Sequence, residues 1–147
     1  MKVKIDMEGM QDLLVKLQSV EGEGKKALAQ SVNVGLLMIE TRCKKKVQSH
    51  ASKSRTYTRG GVTHAASAGG NPPNTDTGYL VSQMHVELET DGMTGYFVSG
   101  AGYSSFLEYG TVNMAERPFV YPSFAEELPE ILKEFNDIAE KYIVKGT

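Results

Sequence analysis

Residues 84–98 read M-H-V-E-L-E-T-D-G-M-T-G-Y-F-V, and this stretch decides the fold class. Met84, Val86 and Leu88 alternate with His85, Glu87 and Glu89, so one face is apolar and the other wet. Asp91-Gly92 supplies a strong turn signal. Tyr96-Phe97-Val98 then returns as a second strand. An antiparallel hairpin is therefore expected in the middle of a chain whose flanks carry helical periodicity, which makes the fold class α+β.

Upstream, Leu28, Val32, Leu36, Ile39, Cys43 and Val47 recur at three- and four-residue steps. They form one continuous stripe on a long helix from about Lys25 to Val47. Gly35 is a mild cost in its interior, or a point where another element comes close. Lys44-Lys45-Lys46 suits the negative end of the helix dipole. Before it, Lys2 to Asp6 alternates Val3 and Ile5 with polar neighbours, a short strand at a sheet edge. After Gly9, Leu13, Leu14, Leu17 and Val20 mark a weak amphipathic helix, broken at Gly22-Glu23-Gly24.

Downstream, Gly100 and Gly102 lead to a short helical segment around Ser104 to Tyr109. A final helix begins between Phe119 and Pro129. Its apolar face is Leu128, Ile131, Leu132, Phe135, Ile138, Ala139 and Tyr142, with Glu127, Glu130, Glu134 and Glu140 turned largely to water. Pro129 lacks an N–H donor, so it belongs at the first turn of a second helical piece or at a kink.

From Ser49 to Thr77 the chain turns polar and loses its periodicity, with Gly60-Gly61 and Pro72-Pro73 as breakers. The expectation is a long flexible loop over about residues 49–77, closed by a short turn or helical turn at Thr77-Gly78-Tyr79-Leu80. Loops of this length inside a small domain are most often functional or disordered. The sheet is thus expected to pack against a long helix from the N-terminal half and a C-terminal helix, with a mobile basic loop between.

At 147 residues and 16.1 kDa, a single domain over residues 1–147 is expected. The net charge of −2 names no partner by bulk electrostatics. The longest apolar cluster, Val32 to Ile39, is interrupted by Asn33 and Gly35 and is too short for a bilayer. The start M-K-V-K-I-D lacks the apolar core of a signal peptide. One cysteine, Cys43, excludes an internal disulfide framework and fits a reducing compartment, so synthesis and folding in a cytoplasm are expected.

Catalytic and metal chemistry find little support. His50, His64 and His85 could be combined with Asp76 and a serine, but no residue sits in a nucleophile elbow, and a triad needs a nucleophile held by an oriented base. No Cys/His pairing has metal-ligand spacing, and Cys43 reads as a small buried hydrophobe. No cofactor is expected. The basic stretch is more suggestive: Arg42, Lys44, Lys45, Lys46, Lys53, Arg55 and Arg59 fall between Thr41 and Thr75, where there is no acidic residue. Such a segment can contact phosphates, and Tyr57 could stack on a base. Docking on a neighbouring protein is the favoured reading of the arm. Glu108 and Arg117, flanking Gly110-Thr111, are expected to pair across that turn.

Three blocks resemble a known family. The first is His64-Ala65-Ala66-Ser67-Ala68-Gly69-Gly70-Asn71-Pro72-Pro73 with Asp76-Thr77-Gly78-Tyr79-Leu80, similar to a "small-Gly-x-Pro-Pro then Thr-Gly-x-Leu" run. The second is Tyr103-x-x-Phe106-Leu107-Glu108-Tyr109-Gly110-Thr111. The third is Met114-Ala115-Glu116-Arg117-Pro118-Phe119, leading into the last helix. Together they resemble the head–tail joining, or tail-completion, proteins of long-tailed bacteriophages, including neck and minor tail components. The chain departs from the pattern after Leu80, where Gln83 stands at the family's serine position, and in Gly69-Gly70-Asn71 before the prolines.

The resemblance implies a non-enzymatic virion protein, assembled in the host cytoplasm as a ring, commonly of six copies. Its partners would be other copies of itself, the head connector ring and the major tail protein, with DNA contact in the channel and no membrane. Arg117-Pro118-Phe119 would aim the last helix across the sheet. A nucleic-acid-binding accessory protein acting through the basic loop is the alternative.

Overall fold

The structure, a computed structural model, describes residues 1–5, 22–49 and 54–143. In chain order the elements are β1 (Lys2–Ile5), α1 (Glu23–Gln48), β2 (Thr56–Arg59), β3 (Val62–Ala65), α2 (Tyr79–Ser82), β4 (Met84–Leu88), β5 (Gly95–Ser99), α3 (Ser104–Tyr109) and α4 (Val120–Ile143). The fold is α+β. The weak helix expected around Leu13 to Val20 lies outside the described residues, as do Asp6, His50 and Lys53.

The expected hairpin forms the main sheet. β4 and β5 pair antiparallel, with Met84 opposite Ser99 and Leu88 opposite Gly95. Asp91 accepts the backbone N–H of Met93 at 2.9 Å and of Thr94 at 3.2 Å, which shapes the turn. β1 adds on the far side of β5, Lys2 opposite Val98, giving the order β1-β5-β4. The first strand is thus an edge, as its length and alternation suggested.

All six stripe residues of α1 are buried: Leu28, Val32, Leu36, Ile39, Cys43 and Val47. They join Met84, Phe97, Phe119, Val120, Ile131 and Phe135 in one core cluster. α1 meets the sheet on one side and α4 on the other. Gly35 is the close approach: a Cβ there would lie 3.1 Å from Ile131 Cγ2. The last helix therefore packs along α1 and is not aimed across the sheet, because the apolar stripe of α1 offers it the longer complementary surface. Arg42 pairs with Glu127, and Lys46 Nζ lies 2.6 Å from Glu126, so the same contact is rimmed by opposite charges.

Two further expectations are corrected on this side of the molecule. Pro129 sits inside one uninterrupted α4, so of its two expected placements the start of a second helical piece is ruled out. It is exposed, so the ring stays clear of the core, and its cost lies in the missing backbone hydrogen bond and the crowding of the preceding turn. Leu132, expected on the apolar face, is 38% exposed. Ile131 and Phe135 instead carry the contact.

The supposed featureless loop contains a second antiparallel pair. β2 and β3 form a ribbon in which Arg59 stands opposite Val62 and Tyr57 opposite His64. Gly60 and Gly61 make its two-residue turn at φ 58° and 78°, the signature of a hairpin turn that favours glycine at both positions. The glycines are therefore the turn of a hairpin and not mere breakers, with Thr-x-Thr on one side and Val-Thr on the other as β-forming flanks. Beyond the ribbon, the described part of the segment is tied to the body: Thr75 N–H donates to Val47 O at 3.2 Å and Gly70 N–H to Glu116 O at 2.8 Å.

Candidate functional site: the junction of three motif blocks

The first block, distant in sequence from the other two, meets them around α3. Tyr103 precedes α3, whose first residue, Ser104, is held to β5 by a 2.7 Å hydrogen bond between the Ser99 and Ser104 hydroxyls, both fully buried. This fixes Glu108 one turn further on, pointing inward and only 4% exposed. One of its carboxylate oxygens, Oε2, accepts the backbone N–H of Phe119 at 2.8 Å and of Val120 at 3.0 Å. The other, Oε1, accepts that of Tyr121 at 2.8 Å. These are donors that a helix N-terminus leaves without intrahelical partners, and a carboxylate there also suits the helix dipole.

Glu108 is therefore the cap of α4, supplied from another helix, and it does not pair with Arg117. The expected pairing fails because a buried carboxylate is better satisfied by three converging N–H groups than by one flexible cation. Arg117 has other work. Its backbone N–H donates to Leu107 O at 2.6 Å, and its Nε donates to Ser67 O at 3.3 Å. It thus ties the third block to the first.

Between them Gly110 takes φ 72°. A Cβ at that position would stand 2.8 Å from Met114 O and 2.9 Å from Glu116 N, so no other residue fits. Thr111 and Met114 close the turn through reciprocal backbone hydrogen bonds of 2.8 and 3.2 Å. Phe119, fully buried, follows Pro118 and anchors the first turn of α4.

In the first block, Pro73 is buried and Pro72 half-buried. Gly78 takes φ 77° just before α2, with its N–H donating to Thr75 Oγ1 at 3.1 Å. Thr77 Oγ1 accepts from the Tyr79 N–H at 3.3 Å. This short turn plants Leu80 in the core, at 5% exposure. Pro73, Thr77, Leu80 and Tyr103 line one cleft of about 190 Å³, together with Asp76 and Tyr79. Sequence reasoning singled out Pro73, Thr77, Leu80 and Tyr103 but not their shared cleft, because nothing in linear spacing announces that residues 73–80 and 103–107 touch.

The outer surface of the junction is aromatic. Phe106 is 55% exposed, Tyr109 73%, Tyr121 74% and Val112 wholly exposed. Tyr109 and Tyr121 border a second, smaller cleft with Met1 and Phe124. Exposed apolar groups gathered in this way mark interaction surfaces.

The basic residues do not act as one patch. Lys44 pairs with Glu40 at 2.5 Å, and Lys46 and Arg42 with carboxylates of α4. Lys45, Arg55 and Arg59 have no ion pair among the described residues. Of the imagined hydrolytic group, the structure brings together one part: His64 Nδ1 lies 2.5 Å from Asp76 Oδ1. His64 is on a strand of the ribbon rather than in a loop. His85 faces Glu87 elsewhere, at 3.3 Å, and no serine hydroxyl among the described residues is hydrogen-bonded to His64.

Cys43 is fully buried, its thiol 3.6 Å from Phe119 O. Burial pushes its pKa up to about 12, which leaves a neutral thiol without nucleophilic character at ordinary pH. No helix among the described residues is long and apolar enough to cross a membrane. Compared with protein-family models, with curated proteins and with solved structures, the chain matches none.

Proposed function

We propose that this chain is a structural, non-enzymatic virion protein that completes a phage tail and joins it to the head as a ring-forming component. The observation that carries the reading is the junction itself. Residues of all three family-like blocks converge on it, and their roles there are capping, turning and bracing. Beside that brace the exposed rings of Tyr109 and Tyr121 border one cleft. A ring subunit needs a stiff body and a surface that meets a different surface on its neighbour, and the junction offers the first beside a candidate for the second. Other copies of the chain, the head connector ring and the major tail protein are the partners this role requires. Negative-stain microscopy of a phage lacking the chain should show separate heads and tails or malformed tail ends. Normal infectious particles would overturn the proposal.

One observation favours a second reading, a nucleic-acid-binding accessory protein. Arg55, Tyr57 and Arg59 alternate along the chain and so share one face of the ribbon, and both arginines are exposed and without ion pairs among the described residues. This reading expects duplex binding that weakens steeply with salt and disappears when Arg55 and Arg59 are neutralised. Absence of binding at low salt ends it.

A further inference from the structure

The cleft beside α2 has a chemistry that the junction does not use. The rings of Tyr79 and Tyr103 lie 6.4 Å apart, tilted by 39°, and are 50% and 43% exposed. Pro73, Leu80 and Leu107 supply apolar lining, and Asp76 lines the same cleft. Asp76 is held from behind: His64 Nδ1 sits 2.5 Å from one carboxylate oxygen, and the Tyr57 hydroxyl donates to the other at 3.3 Å. Tyr57 and His64 are themselves stacked at 5.5 Å. Each oxygen of a carboxylate has two acceptor sites, so these contacts hold the group in place and leave acceptor capacity on both oxygens. Burial, and after it the neighbouring Tyr79 and the Asp76 charge, raises the pKa of Tyr103, as expected for a phenol in a negative local field.

Two aromatic faces, a carboxylate and an apolar lining are the recognition elements for a cation carried on a hydrocarbon stem. We propose that this cleft binds an arginine side chain presented by a partner protein. Arginine fits better than lysine because its planar guanidinium stacks on tyrosine while donating to a carboxylate, and it is more weakly hydrated than an ammonium group. A nucleic acid is disfavoured, since Asp76 would repel phosphate. The inference rests on the cleft alone and holds whether or not the chain belongs to a virion.

The test is a backbone-amide NMR titration of the full chain with Nα-acetyl-arginine amide, alongside its citrulline analogue, which has the same shape without the charge. The arginine probe should shift the resonances of Thr77, Gly78, Tyr79 and Tyr103 progressively, and the citrulline probe should not. Asp76→Asn should weaken binding by about threefold or more. Because that change also touches the ribbon, Tyr79→Ala serves as the second variant. Its side chain is half-exposed, so the fold should persist while the response weakens by a similar factor. Equal shifts from citrulline, shifts located elsewhere, or an undiminished response in Tyr79→Ala would overturn the proposal. So would clearly tighter binding of free spermidine, since that would make a small polyamine the occupant.

Discussion

Glu108 joins two helices through three backbone hydrogen bonds, and its removal has a calculable consequence. Glu108→Ala leaves the N–H groups of Phe119 and Val120 buried and unpaired, which should cost about 3 kcal/mol of stability. Glu108→Gln retains an acceptor and should cost about half as much. Urea unfolding monitored by circular dichroism checks both; a loss under about 1 kcal/mol for the alanine variant would refute the capping role. Gly110→Ala combines a left-handed backbone with a 2.8 Å approach to Met114 O, and should cost about 2 kcal/mol or more.

Cys43 gives a pH dependence with a definite sign. An unfolded thiol ionises near pH ~8.5, while burial holds the folded one neutral up to about 12. Across that window the unfolded state binds fewer protons, so stability falls as pH rises, by up to about 1.4 kcal/mol per pH unit. Comparing the wild type with Cys43→Ala above pH ~8.5 isolates the term. The variant is less stable at neutral pH but should lose this part of the slope.

At the scale of elements, α1 and α4 are held together by a core seam and a charged rim. The seam decides the energetics, because the ion pairs at its edge are at least partly exposed and such pairs contribute little each. Pro129 lies in the exposed interior of α4, where proline costs up to about 3 kcal/mol relative to alanine. Pro129→Ala should therefore raise the melting temperature, a gain read directly by thermal unfolding. An unchanged or lower melting temperature would mean that α4 is bent at this point in a way the packing on α1 requires. The ribbon teaches a different lesson. Its strands are four residues each and largely exposed, and a two-stranded hairpin alone is marginal in water. It persists here because Asp76 and Asn74 tie it to the body, Asn74 Nδ2 donating to Ala65 O at 3.0 Å.

For the whole molecule, the exposed aromatics separate stability from assembly. Tyr109→Ser combined with Tyr121→Ser touches no buried contact of the core cluster, so the melting temperature should change little, equivalent to about 0.5 kcal/mol per site. If the proposed virion role holds and these side chains face a neighbouring subunit, the double variant should fail to restore infectivity to a phage lacking the chain, while the wild-type gene restores it. Full complementation by a stably folded double variant would remove this surface from the assembly interface.

The sequence by itself determined the α1 stripe from Leu28 to Val47, the hairpin from Met84 to Val98, the edge position of the first strand and the short helix at Ser104. Each of these is written in local periodicity, where burial on one face repeats every two or every 3.6 residues. Only the tertiary structure decided that Glu108 serves α4 and not Arg117, that α4 lies along α1, and that residues 73–80 and 103–107 enclose one cleft. Those outcomes depend on which groups meet after the chain closes long loops, and a buried polar group takes whichever partners best satisfy it there. The ribbon falls between the two: its Gly-Gly turn and β-forming flanks were legible, but its stability comes from the side chains of Asn74 and Asp76, which lie outside it.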